Sequence, residues 1–196
     1  MAVNESIRVM VSSRSLARVF EADVQLGDMR RRLQDFVSSV RWSAGGQPVG
    51  RDQPIFNVWI HEDEPGLDAG RSTLQISLDE VDRADVVLVL YTGEAGSASP
   101  GSPIGICHAE LQAAIARRPE IVFMIGLLPL KARPNEADKS FRRYVEELRL
   151  FQKDVSSETE LHAAVASMLQ NVVARLAARW QVRTGWIAAR RWPGSA

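Results

Sequence analysis

Glu110 sits in Cys107-His108-Ala109-Glu110-Leu111, a segment of helical character beyond an apolar run that ends at Tyr91. A carboxylate near the start of a helix entered from a strand can work by its charge or by covalent attack. Three other stretches carry groups of the kind that hold phosphate or ribose: Ser12-Ser13-Arg14, His61 with Asp63, and Tyr91-Thr92-Gly93. Hydroxyls, a guanidinium and glycine backbone are what such a ligand uses, so the set suits a nucleotide. Glu110 is the catalytic candidate, and Ser12, Ser13, Arg14, His61, Asp63, Tyr91, Thr92 and Gly93 are the binding candidates.

Other reactive residue types read as structural. The consecutive acids Glu62, Asp63 and Glu64 cannot all face one ion, so they read as a solvated interaction loop and no metal site is expected. His108 lies two residues from Glu110 and points to another side of the helix, as a buried or rim histidine. Cys107 has no neighbouring base to depress its pKa and reads as a packing residue. Arg30, Arg31 and Arg32 read as a solvated helix face, and Asp79, Glu80, Asp82 and Asp85 as the polar face and end of another helix.

The elements that must position these groups follow from periodicity. Ile7 to Val11 is rich in β-branched residues and reads as the first strand, stopped by Ser12 to Ser15. Leu26, Met29, Leu33, Phe36, Val37 and Val40 recur at helical spacing. A Gly- and Pro-rich loop from Ala44 to Pro54 precedes a second strand, Phe56 to Ile60. Ser72 is placed to cap a helix running through Ala84, and Val86 to Tyr91 is apolar on both faces, as in a strand covered on both sides. A loop from Gly93 to Pro103 leads to a helix from about Ile104 to Ala116, followed by a strand from Ile121 to Leu128. A helix over Lys139 to Leu150 and a short strand near Phe151 to Val155 come next. Ser157 and Glu160 have the spacing of a capping box for a last helix to about Ala178.

Strands alternating with helices predict an α/β fold with a five-stranded parallel sheet, flavodoxin-like order 2-1-3-4-5 and helices on both faces. Ligands of such sheets bind beyond the carboxyl ends of the strands where the order reverses, here between strands one and three. The loops after strands one, two and three are therefore expected to open on one crevice. The domain is expected over residues 1–178, with 179–196 as a tail or the start of a linker.

Composition narrows the surroundings. Lys and Arg total 24 against 24 Asp and Glu, so no net field draws the chain to nucleic acid or an anionic membrane. A single cysteine excludes an internal disulfide and, with no secretory signal evident, predicts a cytoplasmic setting. The apolar runs Val86 to Tyr91 and Ile121 to Leu128 fall well short of the roughly 20 residues that span a bilayer.

Ordered motifs add a resemblance. Val58-Trp59-Ile60-His61-Glu62-Asp63-Glu64-Pro65-Gly66 resembles the second strand and acidic Pro-Gly loop of TIR domains, and Leu74 to Tyr91 continues in register. Cys107-His108-Ala109-Glu110-Leu111 is similar to their Cys-x-x-Glu-Leu, with Ile106 where a tryptophan is usual. Gly105 to Ala114 is similar to the nucleophile segment of nucleoside 2-deoxyribosyltransferases. Val11-Ser12-Ser13 and Val155-Ser156-Ser157-Glu158 resemble the start and end of the domain of unknown function 4062 family, which is TIR-like, across Ile7 to Ala178. The resemblance implies an effector or signalling domain that binds NAD or a related nucleotide and cleaves its N-glycosidic bond through Glu110, needing no other cofactor. It also implies self-association and a fused or partner NTPase or repeat module, in a defence context. The alternatives are a catalytically silent oligomerisation module acting through Glu62 to Gly66, or a nucleotide sensor.

Overall fold

The computed structural model describes residues 6–20, 24–40, 43–44, 47–48, 54–61, 72–98, 104–150 and 152–189. The strands β1 (Ile7–Ser12), β2 (Phe56–Trp59), β3 (Val86–Tyr91), β4 (Val122–Leu127) and β5 (Gln152–Val155) pair in parallel in the order β2-β1-β3-β4-β5. The helices are α1 (Leu26–Ser38), α2 (Thr73–Arg83), α3 (Ile106–Arg117), α4 (Glu136–Leu148) and α5 (Glu158–Ala189). This is the expected flavodoxin-like, three-layer α/β arrangement, and the order reverses between β1 and β3.

The period of two along each strand divides the apolar residues between two cores. Val9, Val11, Leu88 and Leu90 face α1 and α5, where Leu26, Leu33, Leu161 and Val165 meet them. Met10, Val87, Val89 and Tyr91 face the other way, toward Leu111 of α3 and Phe141 of α4. All six residues of β3 are buried, as its unbroken apolar run requires of a central strand.

Helix starts follow local chemistry. Ser72 accepts a hydrogen bond from the Gln75 backbone N–H at 3.2 Å, as its position predicts. In α4 the cap is Asn135, reciprocated by Asp138, so the helix opens at Glu136, earlier than the expected Lys139. At α5, Ser157 accepts from the Glu160 N–H, but the Glu160 carboxylate returns to the Ser156 N–H at 2.7 Å, one residue before the expected partner. The helix then continues past Ala178 to Ala189, because no proline occurs between Pro134 and Pro193 to stop it. Within the stretch expected to be loop, Ser43–Ala44 and Gln47–Pro48 form a two-residue antiparallel ladder, as do Arg18–Val19 and Val24–Gln25 ahead of α1.

Glu80 corrects an expectation. It is buried rather than on a polar face, and its carboxylate is held by Arg8 of β1 and by Arg83 one turn along α2. Arg8 also donates its backbone N–H to Asp85 at 2.9 Å, joining the end of α2 to the strand beside it. Arg8 is remote in sequence, so helical periodicity had no means of finding the partner.

Among the described residues no helix is long and apolar enough to cross a membrane. Leu111 is fully buried and seats α3 on the sheet. Leu111→Ala is expected to cost about 2–5 kcal/mol, through lost burial and the cavity left behind. Urea unfolding measures it as a lower midpoint at unchanged slope; a loss under about 1 kcal/mol would contradict this packing.

Candidate functional site

The site begins where β1 runs out. Ser12 is its last residue and is buried, and the next residues fold back onto the start of α1. The backbone N–H of Leu26 donates to the Ala17 carbonyl at 2.8 Å and that of Gly27 to Ser15 at 2.9 Å. Arg30, one turn into α1, donates to the Ser13 carbonyl at 3.0 Å. The loop carrying Ser13 and Arg14 is thus pinned along its length.

The opposite wall depends on Gly105. A Cβ there would lie 2.1 Å from the Ala95 carbonyl oxygen, so only glycine lets residues 95–98 rest on the entry to α3. The Cys107 N–H donates to Ala95 and the Ile106 N–H to Ser97, both at 3.0 Å. These bonds occupy donors that a helix start otherwise offers to an anion, so the N-terminus of α3 is not a ready phosphate cradle. One turn further in, Glu110 emerges beneath this loop and faces the end of β1.

Ser12 Oγ donates to Glu110 Oε2 at 2.5 Å, and Ser77 of α2 supplies a second side-chain hydrogen bond. Glu110 is 5% exposed, and that exposure opens on a cavity of about 290 Å³. Ser13, Arg14, His61, Ser77 and Ser97 contribute polar groups to its lining, while Trp59 and Ile106 contribute apolar surface. Burial raises the Glu110 pKa above the ordinary carboxylate range; the Ser12 and Ser77 hydrogen bonds and the Arg30 charge oppose that rise without cancelling it.

Of the sequence-derived candidates, Ser13, Arg14, His61 and Glu110 therefore line one cavity, with Ser12 bonded to Glu110 behind it. Asp63 lies outside the described residues, as does the Glu62 to Gly66 loop. Tyr91, Thr92 and Gly93 are not among the lining residues. Tyr91 packs edge-on against Phe141 of α4 at 5.5 Å, and the Thr92 and Gly93 carbonyls accept from the Lys131 N–H and Arg142 Nε, both at 3.2 Å. The expected third loop reaches the crevice only a few residues later, at Gly96 and Ser97, because Phe141 and Arg142 of α4 and the Lys131 backbone ahead of it hold its beginning.

Arg30 was expected on a solvated face with Arg31 and Arg32, yet it is 2% exposed and lines the cavity. The signal was present: Leu26, Met29, Arg30, Leu33 and Val37 make one helical stripe, from which Arg31 and Arg32 are excluded. Ser77 had no comparable signal, since its partner comes from another helix. His108 is buried, its ring tilted against Phe141 at 5.2 Å and Tyr144 at 4.9 Å, both of α4, and burial lowers its pKa. Burial, reinforced by the Glu110 charge, pushes the Cys107 thiol far above its usual range, which leaves it inert as a nucleophile. Among the described residues no group of three or more His, Cys, Asp or Glu side chains could hold a metal ion.

No protein-family model matches the chain, and no curated protein matches it at a significant level.

The raised Glu110 pKa sets a sign for pH dependence. The folded state holds this proton more tightly than the unfolded chain, so its contribution to stability is complete below the ordinary value of 4.5 and is lost as pH rises through the native value. Glu110→Gln, which still accepts from Ser12, should remove that loss. Urea unfolding of both proteins from about pH 4 to about pH 8 should show wild type losing stability relative to the variant. Parallel curves would show that Glu110 carries no such penalty.

Proposed function

We propose that this chain is a TIR-like effector or signalling domain, related to the domain of unknown function 4062 family, that binds NAD or a related nucleotide and hydrolyses its N-glycosidic bond. The observation that supports it is Glu110, the one carboxylate among the described lining residues, buried at the point where strand order reverses. Ligands of open α/β sheets bind at that point. When the bond from C1′ to nicotinamide breaks, the electron pair leaves with the neutral base and positive charge develops on the ribose. A carboxylate offsets that charge or bonds to C1′, and water then completes hydrolysis and releases a proton.

The cavity size fits part of such a ligand. About 290 Å³ is at the small end of ligand pockets, room for a nucleoside portion rather than a whole dinucleotide. Trp59 offers aromatic surface to a base, while Arg14, Ser13 and Ser97 offer donors to ribose and phosphate. By the same resemblance the domain works in defence, self-associates, and acts with a fused or partner NTPase or repeat module.

Burial that favours protonated Glu110 also supports a second reading, a nucleotide sensor without turnover, since a neutral carboxyl stabilises a cation poorly. The two readings part on the fate of the ligand. Purified protein, dilute and concentrated enough to associate, is incubated with NAD and its products are separated by chromatography. The hydrolase releases nicotinamide faster as pH rises and Glu110 ionises, and Glu110→Ala lowers the rate at least about a hundredfold. Intact NAD from every assembled state, with saturable binding, would replace the hydrolase with the sensor.

A further inference from the structure

Arg14, in the lining of the Glu110 cavity, pairs through Nη1 with Glu94 Oε1 at 2.9 Å, joining the loop after β1 to the loop after β3. The same Glu94 oxygen receives Lys131 Nζ at 3.2 Å. The two cations are held very differently. Lys131 Nζ also bonds Asp138 Oδ2 at 2.9 Å, and Asp138 is 1% exposed, fixed by the N–H groups of Ala95 and Asn135 at the capped start of α4. Arg142 of α4 donates to the Lys131 carbonyl at 2.6 Å, so that residue is anchored by backbone and side chain alike. Arg14 lines the cavity with its side chain 32% exposed and pairs with Glu94, whose own side chain is 12% exposed.

We infer that Glu94 is a specificity-determining residue: it holds Arg14 as a latch that a phosphate-bearing nucleotide opens, Arg14 passing from the carboxylate to the ligand phosphate while Lys131 remains on Glu94. The inference rests on nucleotide binding at the Glu110 cavity and names the ligand feature that the cavity selects. A partly exposed ion pair is weak, whereas a guanidinium meets phosphate through paired, charge-assisted hydrogen bonds. Arg14 therefore gains by moving toward a phosphate and gains nothing by moving toward an uncharged nucleoside. Abandoning a mostly buried carboxylate would be costly, and Lys131, on the same oxygen, removes that cost. The latch thus discriminates between nucleotide and nucleoside, while Glu94 itself touches no ligand.

Calorimetric titration of the full chain with AMP, adenosine and inorganic pyrophosphate tests this. Wild type should bind AMP at least about tenfold tighter than adenosine, since the phosphate adds charge-assisted bonds. Glu94→Gln, which frees Arg14 and still accepts from Lys131, should tighten AMP and pyrophosphate about three- to tenfold and leave adenosine unchanged. Lys131→Met should weaken AMP, because Glu94 then keeps Arg14. Arg14→Ala should reduce AMP to the adenosine level, and adding Glu94→Gln to it should give no gain. The exposed Glu136→Gln on α4 makes the same charge change away from the latch and should have no effect.

Equal affinities for AMP and adenosine, no binding of either, a Glu94→Gln gain that survives without Arg14, or an equal gain from Glu136→Gln each overturns the latch. Nicotinamide release from NAD by the same samples reports on hydrolysis separately. Release with a KM indifferent to Arg14→Ala leaves the hydrolase and removes the latch. No release with the AMP preference intact leaves the latch and removes the hydrolase.

Discussion

The hydrogen bond from Ser12 to Glu110 joins the end of a central strand to the first turns of the helix that crosses it, and the site is organised around that contact. A carboxylate buried this deeply is costly unless its oxygens are bonded and an opposite charge is near. Ser12, Ser77 and Arg30 meet part of that requirement from β1, α2 and α1, so three elements converge on one side chain of a fourth. The cavity is the space these elements leave above the carboxylate.

The same solution recurs where the fold needs elements tied together. Glu80 draws Arg8 of β1 to α2, and Asp138 draws Lys131 and the Ala95 N–H to the start of α4. Each buried carboxylate has partners from segments distant in sequence, which ties the placement of the loops to the placement of the helices. Gly105 adds a steric condition at the site, since any side chain there would lift residues 95–98 off α3 and open the wall beside Glu110. The resulting wall is made of backbone and short side chains held from behind by α4, while Arg14 is held by its ion pair with Glu94.

Hydrophobic periodicity decides strand and helix through forces that act between near neighbours, so the sheet strands, the five helices and the parallel α/β class were legible in the residues themselves. So were the Ser72 cap, the burial of His108 and the choice of Glu110, Ser13, Arg14 and His61 as residues of one crevice. The helix boundary at Glu136 was missed because an Asn135–Asp138 capping box is polar and carries no periodic signal. The burial of Arg30 is signalled only by its place in the stripe with Leu26, Met29 and Leu33, against the exposure its charge and its neighbours Arg31 and Arg32 suggest.

What only the tertiary structure decided is which charges are buried and with whom, and which loop residues reach the cavity. Tyr91, Thr92 and Gly93 follow a central strand as a crevice residue should, yet Phe141 and Arg142 of α4 and Lys131 ahead of it hold them, and Gly96 and Ser97 take the place at the wall. The physical reason is range. Strand and helix follow from interactions between residues a few positions apart, whereas the state of a buried carboxylate depends on groups such as Ser12, 98 residues away from Glu110. No pattern along the chain encodes that distance until the sheet has brought its ends together.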